Sequence, residues 1–108
     1  MPVIYEVNVD IDADIETEYR AWIADHVREI CALPGVLGAT VFDVVDPIAA
    51  PGHVSLCVQY DMRDAHALQT YLRDHAPRLR AEGVARFGER ARASRRVLNP
   101  SPTGRGRP

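Results

Sequence analysis

Val54-Ser55-Leu56-Cys57-Val58-Gln59-Tyr60-Asp61-Met62 alternates between two kinds of side chain without a break. A two-residue period belongs to a strand with one face buried and one face open. Val54, Leu56, Val58, Tyr60 and Met62 share the apolar face, and Ser55, Cys57, Gln59 and Asp61 share the other. Downstream the period lengthens. Asp64 is a good N-cap, and Leu68, Tyr71, Leu72, His75 and Leu79 recur at helical spacing. Pro77 lacks an N–H and restricts the residue before it, which predicts a break after His75. A further helical piece carries Val84 and Phe87, Gly88 suits its end, and residues 91–98 read as another strand.

Upstream the same order appears once more. Residues 3–10 alternate, with Val3, Tyr5, Val7 and Val9 on one side and Ile4, Glu6, Asn8 and Asp10 on the other. Asp12 or Asp14 is expected to cap the helix that follows, whose stripe is Ile15, Tyr19, Trp22, Ile23, His26, Val27, Ile30 and Leu33. Pro34-Gly35 ends it, and residues 37–45 form a strand before a turn-rich loop from Asp46-Pro47 to Pro51-Gly52. Two β-α-β units with right-handed crossovers give an α+β fold, a ferredoxin-like βαββαβ domain with a four-stranded antiparallel sheet. Both helical stretches then cover one face. The opposite face collects Ile4, Glu6, Asn8, Ser55, Cys57, Gln59, Ser94 and Arg96. Being mixed rather than fully polar, it suits a wet interface or a ligand cleft.

The chain of 108 residues predicts one domain over residues 1–98, with residues 99–108 as a disordered tail. Its 46% hydrophobic and 26% charged content is that of an ordinary globular protein, and no apolar run is long enough for a bilayer helix. The opening Met1–Glu6 has no basic start and no signal-peptide core, so the expected location is the cytoplasm. Cys31 and Cys57 fall on different elements without metal-ligand spacing and are expected to be reduced thiols. Charge is unevenly spread: residues 1–72 hold 3 Arg against 12 acids, residues 73–108 hold 10 Arg against 3 acids, and lysine is absent. GC-rich coding, anion binding and pairing of the basic half with the acidic half each account for this.

His26 and His75 lie on the apolar stripes of their helices and point toward the sheet, as a proton-transferring group would. A core histidine bonded to a carbonyl or carboxylate is the structural alternative for each. His53 and His66 read as surface residues. Arg78, Arg80, Arg86 and Arg90 follow the helix break, where they either pair with Glu82 or Glu89 or reach the mouth of a cavity. Glu6 and Arg96 are expected to pair across neighbouring strands. No metal site is expected, since no histidines stand at i, i+4 and no CxxC is present. Neither a cofactor nor a nucleophile motif is indicated, although Cys57 with a histidine is one conceivable pair. RNA-recognition modules share this element order but stack bases on aromatics of the open face. Here that face offers Asn8, Ser55, Cys57 and Gln59, and Tyr60 belongs to the apolar side, so no nucleic-acid partner is expected.

A set of residues resembles a bacterial family of uncharacterised domains in the dimeric α/β-barrel superfamily. It comprises Ile4-Tyr5-Glu6-Val7, then Trp22, His26 and Gly35, Tyr71-Leu72, His75-Ala76-Pro77, Leu79-Arg80, Arg86-Phe87-Gly88 and Ser94-Arg95-Arg96-Val97-Leu98. The resemblance implies a homodimer in which two sheets pack face to face into a barrel, and it implies no established reaction. Superfamily relatives include monooxygenases without metal or flavin, haem-degrading oxygenases, isomerases and stress-linked proteins, with sites between sheet and helices or inside the barrel. In the oxygenase relatives an asparagine placed like Asn8 lines the pocket, but Tyr71 stands where their tryptophan is expected.

The leading expectation is therefore a small-molecule pocket between sheet and helices of a homodimer. Trp22, Tyr71, Phe87 and Arg90, with Asn8 by resemblance, would contact the ligand, a small organic molecule for which an anionic group is one option. If the protein is an enzyme, of a cofactor-independent monooxygenase or isomerase type, His26 or His75 would move the proton. The rival is a non-catalytic interaction or regulatory module. A cavity of roughly several hundred Å³ opening beside the histidines favours the first reading, and a closed core around both favours the second.

Overall fold

A computed structural model describes residues 1–104 and 106. Strand β1 (Val3–Asp12) leads through a 3₁₀ turn (Ala13–Ile15) into helix α1 (Glu16–Cys31). Strands β2 (Val36–Asp43) and β3 (His53–Met62) follow, then helices α2 (Ala65–Asp74) and α3 (Ala76–Phe87), a 3₁₀ turn (Gly88–Arg90) and strand β4 (Ala91–Leu98). The sheet order is β2-β3-β1-β4, antiparallel throughout, as a ferredoxin-like domain requires. Of the expected tail, residues 105, 107 and 108 lie outside the described residues, and residues 99–104 are exposed and carry no helix or strand.

The alternation places the faces as the pattern predicts. Val3, Tyr5, Val9 and Ile11 of β1 and Leu56, Val58, Tyr60 and Met62 of β3 are buried under the helices. They pack with Ile15, Tyr19, Ile23 and Ile30 from the first crossover and Leu68, Tyr71, Leu79 and Phe87 from the second. Full burial of a side chain the size of Ile11, Leu56 or Leu79 stabilises the fold by about 1.5–3 kcal/mol. Asp64 caps α2 by accepting the Ala67 N–H at 2.8 Å. The chain leaves helical geometry at His75 (φ −125°) and re-enters it with Pro77 in the first turn of α3.

Three local expectations need correction. Neither Asp12 nor Asp14 caps α1; its N-cap is Ile15, without a side-chain bond. The reason is that β1 runs on to pair Asp12 with His53, and the carboxylates turn to the basic end of the chain instead. Arg92 Nη2 donates to Asp12 Oδ1 at 2.9 Å, and Arg90 Nη2 stands 3.4 Å from Asp14 Oδ2. Strand β2 ends at Asp43 rather than Val45 and is offset by an irregularity at Leu37, between the Val36–Met62 and Gly38–Asp61 pairs. His53 is half-buried rather than a plain surface residue, with Nδ1 3.0 Å from Asp10 Oδ1 and 3.1 Å from Arg92 Nη2.

Among the described residues no helix or strand covers the face away from the helices, and Val44 and Pro47 of the β2–β3 loop border it beside Asn8 and Ser55. Its central rung runs Thr40–Gln59–Glu6–Arg96 across four strands, and the next runs Phe42–Cys57–Asn8–Ser94. Glu6 is nonetheless buried, beneath its own partners. Arg96 Nε donates to Oε2 at 2.7 Å, Asn8 Nδ2 to Oε2 at 2.9 Å and Gln59 Nε2 to Oε1 at 3.0 Å. These donors, the Arg96 guanidinium foremost, hold the carboxyl down to a pKa of about 2. The expected cross-strand pair of Glu6 and Arg96 is thus part of a larger polar network.

Candidate functional site

On the helix side the core is not completely filled. The stripe of α1 divides: Tyr19, Ile23 and Ile30 are buried against the sheet, while Trp22 and His26 stay half-buried at its margin. A cavity of about 120 Å³ opens there, between the sheet face of β1, β3 and β4 and the sides of α1 and α3. Tyr5, Val7 and Val9 form its floor with Val58 and Tyr60; Ala91, Ala93 and Arg95 of β4 close one side. The edge strand places the small residues Ala91 and Ala93 here, paired with Ile11 and Val9, and their short side chains leave room at this end.

Aromatic rings make most of the wall. Trp22 stacks on His26 with centroids 4.4 Å apart and meets Phe87 edge-on at 5.6 Å. Tyr19 packs on Phe87 at 5.1 Å, and Tyr5 contacts Tyr60 at 6.0 Å and Tyr71 at 5.8 Å. Burial disfavours the tyrosinate form, raising Tyr19 and Tyr71 to about 12 and Tyr60 further. Burial also lowers the pKa of His26, with the nearby charge of Glu29 opposing. The imidazole is therefore neutral at pH 7 and able to accept a proton. Arg80 Nη2 donates to Tyr5 Oη at 2.8 Å, tying α3 to β1 at the rim.

Of the residues expected to form the site, Trp22, His26, Tyr71 and Phe87 line this cavity together. Asn8, His75 and Arg90 are not brought to it. Asn8 is on the open sheet face, bound to Glu6, beside a more open groove of about 420 Å³ that Ser55, Arg92 and Ser94 share. His75 is at the α2–α3 junction, where its N–H donates to the Tyr71 carbonyl at 3.0 Å and its carbonyl accepts from Leu79. Arg90 turns away to Asp14. Of the two, the cavity under the helices is the less open, and aromatic rings wall it. Its volume falls between the two outcomes anticipated from sequence: it is smaller than several hundred Å³, yet the core around His26 is not closed.

Tyr5, Tyr60 and Arg95 were missed as lining residues; of the four arginines expected either to pair with acids or to reach a cavity mouth, Arg80 lines the cavity and Arg78, Arg86 and Arg90 do not. Alternation had already aimed Tyr5 and Tyr60 at the helices, but nothing in a sequence marks which part of a core stays hollow. Gly83 was missed as well: a Cβ built there would stand 3.1 Å from Trp22 Cη2. Gly83→Ala is expected to leave global stability within about 1 kcal/mol, because the gain in helix propensity offsets the crowding. The Trp22 ring borders the cavity and can shift into it. The near-ultraviolet circular dichroism and emission maximum of Trp22 should therefore change while the melting temperature hardly moves.

Fold and cleft together define a ferredoxin-like α+β domain, one helical layer backing a single sheet. The chain belongs to the family described as "Domain of unknown function (DUF4286)", whose profile matches residues 2–101. No curated protein matches it. Among solved structures it is similar to Rv0793 from Mycobacterium tuberculosis, with 20% identity and a TM-score of 0.67 over 94% of this chain and 96% of that one. It is also similar to SnoaB, a cofactor-independent oxygenase from Streptomyces nogalater, with 13% identity and a TM-score of 0.69 over 94% and 95%. A third similar structure is HapK from Hahella chejuensis, with 18% identity and a TM-score of 0.63 over 100% of both chains. At these identities the likeness is one of fold. No described helix is long and apolar enough to cross a membrane.

Proposed function

We propose that this protein is a homodimer that holds a small, anionic organic molecule in the cleft between sheet and helices. The observation that carries the reading is the cavity itself: an aromatic-walled space beside neutral His26 in an otherwise close-packed core. Support for the second copy comes from the open face, where Ile4, Cys57, Phe42 and Leu98 surround the Glu6 network and no helix or strand among the described residues covers them. Phe42 is 44% exposed there. His75 serves the helix junction in this reading, and His26 is the group that would accept a proton.

A second reading, a cofactor-independent oxygenase, is favoured by the similarity to SnoaB combined with the placement of His26. In that case the imidazole would take a proton from bound substrate and a rim arginine would stabilise the resulting enolate.

Native mass spectrometry of the freshly purified protein tests the proposal in one measurement. The expected spectrum shows twice the chain mass with a co-purifying small molecule. Chains that remain monomeric at micromolar concentration refute the sheet-to-sheet dimer. His26→Gln should weaken retention of that molecule by about fivefold or more while the melting temperature stays within a few degrees. Lost stability with unchanged retention would instead place His26 among structural residues and favour the interaction-module reading.

A further inference from the structure

Most of the described arginines stand 2.7–3.4 Å from a carboxylate. Among the described residues, Arg80, Arg86 and Arg95 have no such partner. Arg86 lies over the Phe87 ring, 5.7 Å from its centroid, and is outside the cavity. The other two both line the cavity, and no Asp or Glu lines it. Arg95 projects from β4 opposite Val7, and its charge is felt by Tyr19, His26 and Tyr71 on the far walls. Arg80 of α3 lines the same cavity, with one Nη on Tyr5 Oη. Two arginines without a carboxylate partner among the described residues thus border one aromatic-walled space, each reaching solvent at its rim. A guanidinium presents a planar fork that matches the two oxygens of a carboxylate, and the pair is screened less in an apolar cleft than in water.

The volume sets the size of what enters. An apolar cavity of roughly 150 Å³ accommodates one benzene ring. At about 120 Å³ before any side chain adjusts, this cleft has room for a single ring with its charged end at the open rim. We propose, on the premise that the cleft is the ligand site, that it takes single-ring aromatic carboxylates. The ring lies among Tyr5, Trp22 and Phe87, and the carboxylate meets Arg80 and Arg95. Because Arg80 donates to Tyr5 Oη, the Tyr5 O–H proton is available to the same carboxylate.

Trp22 is the only tryptophan of the chain, so its indole N–H gives one nuclear magnetic resonance signal that reports from inside the cleft. The full chain at pH 7 is titrated separately with benzoate, phenol and biphenyl-4-carboxylate. Benzoate should shift the indole signal saturably, and phenol, neutral at this pH, should bind at least about tenfold more weakly. Arg80→Gln and Arg95→Gln should each weaken benzoate by about tenfold or more, whereas Arg86→Gln should leave it within about twofold. Benzoate binding indifferent to both cavity arginines, or phenol binding as tightly as benzoate, overturns the proposal. Biphenyl-4-carboxylate binding as tightly as benzoate overturns the single-ring limit. If phenol moves the signal and benzoate does not, the cleft is a ligand site but not one for anions. If neither moves it, the cleft reading fails together with this one.

Discussion

Gly35→Ala should lower stability by about 3 kcal/mol, a fall in melting temperature on the order of 15 °C for a domain of this size. Two costs combine at this position. Gly35 has φ +85°, a left-handed conformation that a Cβ disfavours by about 1 kcal/mol or more. A Cβ built there would also stand 2.6 Å from Ala67 Cβ, in the buried first turn of α2. The turn cannot move aside freely, since the Gly35 carbonyl accepts the Arg63 N–H at 2.8 Å just before Asp64 caps the helix. Two other glycines separate the contributions. Gly52 has φ +80° and open space around it, so Gly52→Ala should cost only the conformational part, about 1 kcal/mol. Gly38 has neither feature, and Gly38→Ala should be close to neutral. Urea denaturation of the three variants gives the ranking directly, and equal losses at Gly35 and Gly52 would show that α2 yields at no cost. The position matters for function because α2 carries Tyr71 against Tyr5 at the cavity.

Glu6→Gln should cost about 2 kcal/mol at pH 7, with the cost disappearing in acid. The carboxylate has a folded pKa of about 2 against an ordinary 4.5, because Arg96, Asn8 and Gln59 all donate to it. A depressed carboxyl pKa contributes stability that is present above the unfolded value and is lost as pH falls toward the folded one. The window is therefore between about pH 5 and pH 2. Since the Arg96 side chain is 65% exposed, water screens part of the interaction, which is why the expected size is below the full value of the shift. The glutamine variant keeps shape but presents an amide where Arg96 and Asn8 need an acceptor. Stability curves of the parent and variant against pH should converge near pH 2. Parallel curves would mean that the network contributes nothing that depends on the charge.

The two β-α-β units were readable in advance for a physical reason: strand alternation and helical stripes are properties of neighbouring residues. Asp64 and Pro77 act within one turn of where they stand, and the structure places the α2 cap and the α2–α3 break accordingly. Asp12 and Asp14 were misread by the same local logic. Arginines about 80 residues away compete for their carboxylates, and no local pattern reveals that competition. Glu6 is a further case. Its face was correctly assigned, but its burial depends on Gln59 and Arg96 arriving from two other strands.

The candidate site divides in the same way. Trp22, His26, Tyr71 and Phe87 could be nominated because they lie on helix stripes. Arg80 and Arg95 gain their significance only from contact with distant residues, as the bond from Arg80 to Tyr5 shows. Arg90 looked equivalent to Arg80 until the 3₁₀ turn Gly88–Arg90 directed it outward to Asp14.

What the residues determined by themselves is the element order, the helix-facing side of each strand and the single-layer helical cover, all consequences of short-range periodicity in apolar burial. Where the core remains hollow, and which two arginines face that hollow without an acid beside them, was decided by tertiary packing. A void is what remains after side chains from β1, β3, β4, α1 and α3 have been fitted together, and no one of those segments encodes it.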